Sequence, residues 1–273
     1  MDLNHLFLFV VIVSTLIVLA RGFRAPGALP WRRALVVLVI TGLAWLVVPG
    51  VAGWIAVAGW FVLVILPALI SNRAWRQRAG AREQPRLTVA VATLMILNAV
   101  MFLVEVVQGG SMNPATLHRL GQLEPASVLY RHEYWRLLAA LFLHYGPLHL
   151  AFNLYALWII GPGLERVIGA LRFSGCYLLA GIGSSAAVVV LRAYGLTRAD
   201  ELVGASGCVM GIVGAWAGFL LRHRDAPLAG RRLQNIVMIV VIQTAFDLAT
   251  PQVSMAAHLS GLMIGLIAGL VVA

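Results

Sequence analysis

Four side chains in this sequence have the chemistry of acyl transfer. Ser206 lies in Gly204-Ala205-Ser206-Gly207, and His258 lies in Ala256-Ala257-His258-Leu259-Ser260-Gly261. His149 and Asn153 are spaced i, i+4, which puts them one turn apart on a helix face. A serine hydroxyl is a weak nucleophile until a base removes its proton, and His258 is the candidate base. Attack on an amide carbonyl creates an oxyanion that needs preorganised donors. Free N–H groups at the start of a helix are one source, and the side chains of His149 and Asn153 are another. Each residue alone has a plainer explanation. An intramembrane serine can bond back to its own helix, a histidine can be a packing residue or a proton relay, and a His/Asn pair can be interhelical glue. Taken together at one depth, they read as a nucleophile, a base and an oxyanion site. No acidic residue is placed by spacing to orient His258. Asp247 is the nearest, on the preceding span, and sequence gives it no partner, so the expectation is a Ser206–His258 dyad.

That reading depends on the elements that must bring the four together. The chain has 273 residues, 61% of them hydrophobic and 11% charged, with a mean hydropathy of +0.93. Soluble domains carry about 25% charged residues, and a soluble globule could not hide this much apolar surface. A soluble enzyme, a disordered tail and a secreted disulfide scaffold are excluded. Spanning helices need roughly 20 apolar residues, which divides the chain into candidate spans at 3–20, 33–49, 51–71, 87–107, 148–164, 172–191, 203–221, 233–248 and 255–273. The second and third are separated only by Pro49-Gly50, and as one helix they would run about 58 Å, so a hairpin is expected. The first span has its arginines after the apolar run, unlike a signal peptide. Cys176 and Cys208 lie in apolar runs and read as packing residues.

All 20 basic residues are arginine, against 10 acidic ones, for a net charge of +10. In a soluble chain this would suggest nucleic acid; between spans it is a topological label. With nine alternating spans, fifteen arginines fall on one side and five (Arg119, Arg131, Arg136, Arg192 and Arg198) on the other. The N-terminus is then outside and the C-terminus inside, and the spans that begin near His149, Ser206 and His258 run in the same direction. Glycines favour their contact. Gly204, Gly207, Gly211, Gly214 and Gly218 stripe one span, and Gly261, Gly265 and Gly269 stripe another, so the serine and histidine helices are expected to pack closely. An outer stretch of about 40 residues, 108–147, is too long for a simple connection. Its Tyr134-Trp135-Arg136-Leu137-Leu138 run suits the membrane interface.

From about residue 87 to 273 the sequence resembles the rhomboid family of intramembrane serine proteases. The resemblance is carried by Glu133-Tyr134-Trp135-Arg136, His144, His149-x-x-x-Asn153, Glu165-Arg166 with Gly169, Gly204-x-Ser206-Gly207, and Ala257-His258 before the glycine repeat. It implies an all-α polytopic membrane protein with a six-helix core at 87–273. About three extra transmembrane helices at 1–72 and an Arg-rich cytoplasmic linker at 73–86 are expected to precede that core. It also implies peptide-bond hydrolysis without metal or cofactor. Ser206 would be the nucleophile and His258 the base, with His149, Asn153 and the Ser206 N–H as the oxyanion hole and Gly204, Gly207, Met210 and Gly261 in support. The implied substrates are membrane-anchored proteins with helix-weakening residues, and no nucleic acid is involved. Residues 233–254 resemble the region through which substrates enter. The implied location is the cell (inner) membrane, with the site opening to the extracytoplasmic side. Family members often carry an aromatic one turn after the serine, where this chain has Met210, which can still pack against an imidazole. The alternative from a different class is a non-catalytic rhomboid-like protein that binds membrane helices for quality control.

Overall fold

The computed structural model describes residues 87–197, 201–249 and 254–272. The expected spans at 3–20, 33–49 and 51–71 and the linker at 73–86 lie outside the described residues. Within them, six helices stand where six spans are expected: α1 (Val89–Val107), α5 (Pro147–Ile168), α6 (Ala170–Ala193), α7 (Ser206–Arg222), α8 (Ala229–Ala249) and α9 (Met255–Val272). Three of these, α1, α6 and α9, are long and apolar enough to cross a bilayer by length and composition alone. With the apolar α7 and the break before α5, they make an all-α polytopic membrane protein.

Residues 108–146 are built rather than slack. They contain α2 (Pro114–Leu120), α3 (Pro125–Arg131) and α4 (Arg136–Ala139), the last running into a 3-10 turn at Ala140–Phe142. That turn meets α5 at a bend of 90°. Arg136 organises the segment from a buried position. Its guanidinium donates to Glu133 and to the carbonyls of His118 at 2.8 Å and Gln122 at 3.1 Å. Glu124 plays a similar part at the surface. Partial burial favours its neutral form, yet the Ser127 hydroxyl, His118 and the Arg136 charge outweigh that and hold its carboxyl below the usual range. The segment is stitched to the chain entering α7 by an antiparallel bridge between Leu123 and Leu202, with N–H···O distances of 2.8 and 2.9 Å. Gly204 N–H donates to the Ala140 carbonyl at 2.9 Å.

A second polar device fixes α1. The first amides of any helix lack internal acceptors, and here the buried Glu165 carboxylate on α5 takes them. It accepts from Ala90 N and Val91 N, both at 2.9 Å, and from the Thr88 hydroxyl. Between α1, α5, α6 and α7 the apolar core is filled by Val91, Leu157, Leu164, Phe173, Tyr177 and Ile212.

The contact between α7 and α9 is made by backbone. A Cβ placed on Gly261 would run into the Gly207 carbonyl oxygen, one on Gly265 into Gly211 O, and one on Gly269 into Ala215 O. In return, Gly214 faces Leu262 O and Gly218 faces Leu266 O. The two glycine stripes read from the sequence therefore face one another. With no side chains between them, the axes come close enough for main-chain atoms to touch.

Candidate active site

Ser206 is the first residue of α7 and is half-buried. The first backbone bond of the helix runs from Val209 N to Ala205 O at 2.9 Å, so the preceding amides of Ser206 and Gly207 point into the space at the helix head. The helix has 17 residues, or about 26 Å at the standard rise, shorter than a hydrocarbon core of about 30 Å. His258, the fourth residue of α9, is buried. The Gly207–Gly261 contact lies one residue beyond Ser206 and one turn beyond His258, which sets the two side chains at the same end of the pair. Among the described residues, Ser206 Oγ makes no hydrogen bond. Such contacts are often long in substrate-free structures and tighten when the substrate binds.

His149 reaches the same place from α5. Its imidazole lies so close to Gly204 that a Cβ there would stand 2.6 Å from Cε1 and 2.7 Å from Nε2. Gly204 also has φ +130°, a conformation that only glycine adopts freely. The motif's first glycine thus lets the chain turn into α7 beneath the histidine. His149 is edge-on to buried His144, with ring centroids 5.2 Å apart. His144 is held by its backbone N–H donating to Glu105 at 3.0 Å. Asn153 is buried one turn deeper and donates through Nδ2 to the His149 carbonyl at 3.0 Å. One of its amide hydrogens is therefore committed to its own helix and the other is free to point elsewhere. Met210 is buried one turn past Ser206. Gly207 faces the hydroxyl of Ser184 on α6, a residue that sequence reading passed over.

The structure departs from the sequence reading at His258. Asp247 does have a partner: its carboxylate oxygens lie 2.8 and 2.9 Å from His258 Nδ1. A carboxylate can only accept, so Nδ1 carries the proton and Nε2 presents a lone pair. Gln243, one turn earlier on α8, donates through Nε2 to Asp247 Oδ1 at 2.8 Å. Its 3.3 Å approach to Nδ1 sets donor against donor, so the bond to Asp247 is the effective one. Sequence carried a signal for this pair, since Gln243 and Asp247 are i, i+4 polar residues in an apolar span. Which helix they face is a tertiary fact.

The helical membrane core thus carries a serine at a helix head, a buried histidine at the same end of the adjoining helix and a second histidine on a third helix. A family profile described as the Rhomboid domain matches residues 131–273, and the chain belongs to the rhomboid family. It is similar to rhomboid protease GluP of Bacillus subtilis, 37% identical over 186 residues, covering 68% of this chain and 34% of that protein. It is also similar to RHOMBOID-like protein 1 of Arabidopsis thaliana, 34% identical over 158 residues, 57% of this chain and 39% of the relative. Rhomboid protease AarA of Providencia stuartii is 30% identical over 152 residues, 49% of this chain and 54% of that protein. The matches thus span between a third and about half of these relatives' own length.

Proposed function

We propose that the chain is an intramembrane serine endopeptidase that hydrolyses peptide bonds in or near the transmembrane helices of membrane-anchored proteins. The observation that carries this reading is the backbone contact between α7 and α9, which supports Ser206 and His258 acting at one level. Membership of the rhomboid family, with relatives named as proteases, supports the same conclusion.

Ser206 Oγ attacks the scissile carbonyl carbon while His258 Nε2 takes the hydroxyl proton. The carbonyl oxygen becomes an oxyanion that accepts from the Ser206 N–H and from the side chains of His149 and Asn153. Collapse breaks the C–N bond, and the imidazolium returns its proton to the departing amine. Water, activated by the same imidazole, then hydrolyses the ester and regenerates Ser206. A helical peptide bond is shielded by its own i, i+4 hydrogen bonds, so the best substrates carry helix-weakening residues at the cleavage point. The arginine distribution supports a C-terminus on the cytoplasmic side of the cell membrane and a site opening to the other side. Residues 87–273 form the catalytic domain in this reading, preceded by the transmembrane helices of 1–72 and the cytoplasmic linker of 73–86.

A fluorophosphonate probe tests the reading on the purified full chain. Wild-type protein is expected to label covalently, with Ser206→Ala unlabelled and His258→Ala slowed by at least a hundredfold. Equal labelling of all three would overturn it in favour of a rhomboid-like protein that binds helices without cutting them.

A further inference from the structure

We infer that Asp247 is a positioning residue for the base: together with Gln243 it fixes the tautomer and ring orientation of His258 and ties α8 to the active site. The inference rests on the protease reading and adds a third member to its Ser206–His258 pair.

Burial makes the case first. Among the described side chains of α8, only Ala229 and Asp247 are buried; the rest are half-buried or exposed. The one buried polar side chain among the described side chains of this loosely covered helix is Asp247, and it is on His258. The Asp247 and His258 side chains are 1% and 4% exposed, in a membrane span where an unpaired carboxylate would be costly. Geometry makes the case second. Both carboxylate oxygens lie within 2.9 Å of Nδ1, and one of them is also held by Gln243 at 2.8 Å. The carboxylate is thus locked between a donor on its own helix and the imidazole on α9. An imidazole whose Nδ1 proton is so engaged presents Nε2 as the acceptor, the state a serine's base requires, and the anion stabilises the imidazolium formed during attack.

The other groups at this end of α9 cannot do the same work. His149 on α5 is a second imidazole, set against Gly204 at the entry to α7. Ser184 on α6 and Ser206 at the head of α7 are neutral hydroxyls, and Ser184 already donates to Gly181 O at 2.8 Å. Among the described residues, Asp247 is the one anion paired with the ring.

The test uses the full chain in bilayer nanodiscs, with fluorophosphonate labelling rates measured from about pH 5 to 10 for wild type, Asp247→Asn and Ser206→Ala. Asparagine keeps the size of the side chain, but its amide N–H donates to Nδ1 and selects the wrong tautomer. Labelling of Asp247→Asn is expected to slow by about 10²- to 10⁴-fold near neutral pH. The pH midpoint of its residual rate is expected to fall by about one unit, because an anion that favoured the imidazolium is gone. Rates and midpoint equal to wild type would overturn the inference. So would a slower rate with an unmoved midpoint, which marks a merely structural role. Should Asp247→Asn fail to fold, ring ¹⁵N shifts of wild-type protein, assigned with His258→Gln, decide instead. An Nδ1–H tautomer is expected at His258, and an Nε2–H tautomer would overturn the inference. Undiminished labelling of Ser206→Ala would instead remove the protease reading on which it stands.

Discussion

In the proposed reaction one backbone amide and two side chains at the head of α7 would receive the developing negative charge, and they are not equally free to do it. The Ser206 amide has no acceptor in the helix. Asn153 has already spent one amide hydrogen on the His149 carbonyl, which leaves the second to donate to an oxyanion. Losing one preorganised donor of this kind costs about 10²- to 10³-fold in kcat, roughly 2.7–4 kcal/mol. Asn153→Ala is expected to show that loss with KM little changed, because the interaction is made in the transition state. Cleavage of a fluorescent transmembrane peptide checks it, and a loss confined to KM would remove Asn153 from the oxyanion site. At this scale the residue types were legible: serine, two histidines and an asparagine stand out in spans with so few polar groups. Asp247 was visible as well, but its function was not. Spacing along one helix reports which residues share a face, and the His258 contact crosses from α8 to α9. Gln243 was missed for the same reason, although its i, i+4 relation to Asp247 lay in plain sight.

Helices α7 and α9 are held by the absence of side chains, which makes small substitutions decisive. A Cβ at Gly265 would collide with the Gly211 carbonyl oxygen, and main-chain atoms cannot move aside as a flexible side chain can. Gly265→Ala should therefore push the helices apart. The expected cost is about 1–3 kcal/mol, as for other overpacked sites, and the loss of labelling at Ser206 should exceed the loss of fold. Gly175 on α6 is the control, since nothing lies within 4 Å of a Cβ there. Alanine outranks glycine in a helix by roughly 0.5–1 kcal/mol, so Gly175→Ala should leave the thermal midpoint unchanged or raise it. Equal destabilisation by both would show that the close contact is not what holds the pair. The glycine period revealed this contact in advance because a stripe at steps of three and four has few other uses in lipid. The helices inside 108–146 were not legible. Those of 7, 7 and 4 residues are too short to be stable alone, and they persist through Arg136, Glu124 and the Leu123–Leu202 bridge. These are long-range contacts that periodicity does not report.

Across the whole molecule the arginines are spread unevenly over the connections between the expected spans. Of the fifteen expected on the inner side, Arg166, Arg172, Arg222, Arg224, Arg231 and Arg232 lie within or just beyond the ends of helices among the described residues, and Arg222 donates to the Leu270 carbonyl at 3.1 Å. On the outer side Arg136 is buried and paired with Glu133, Arg131 lies 3.6 Å from Glu124, and Arg119 donates to the Gln108 carbonyl at 2.7 Å. Arginines clustered at span ends help to retain a loop at the cytoplasmic surface. In the proposed topology the asymmetry sets the direction of α5, α7 and α9 and with it the side to which Ser206 would open. Cysteine labelling tests that direction without disturbing the site. Cys176 and Cys208 are buried and can remain in place. Tyr130, 81% exposed beside Arg131, and Arg224, exposed after α7, mark the two ends. In intact cells a membrane-impermeant maleimide is expected to modify Tyr130→Cys and to reach Arg224→Cys only after permeabilisation. The reverse pattern would turn the bundle over, present Ser206 to the cytoplasm, and require a different explanation for fifteen arginines on one face.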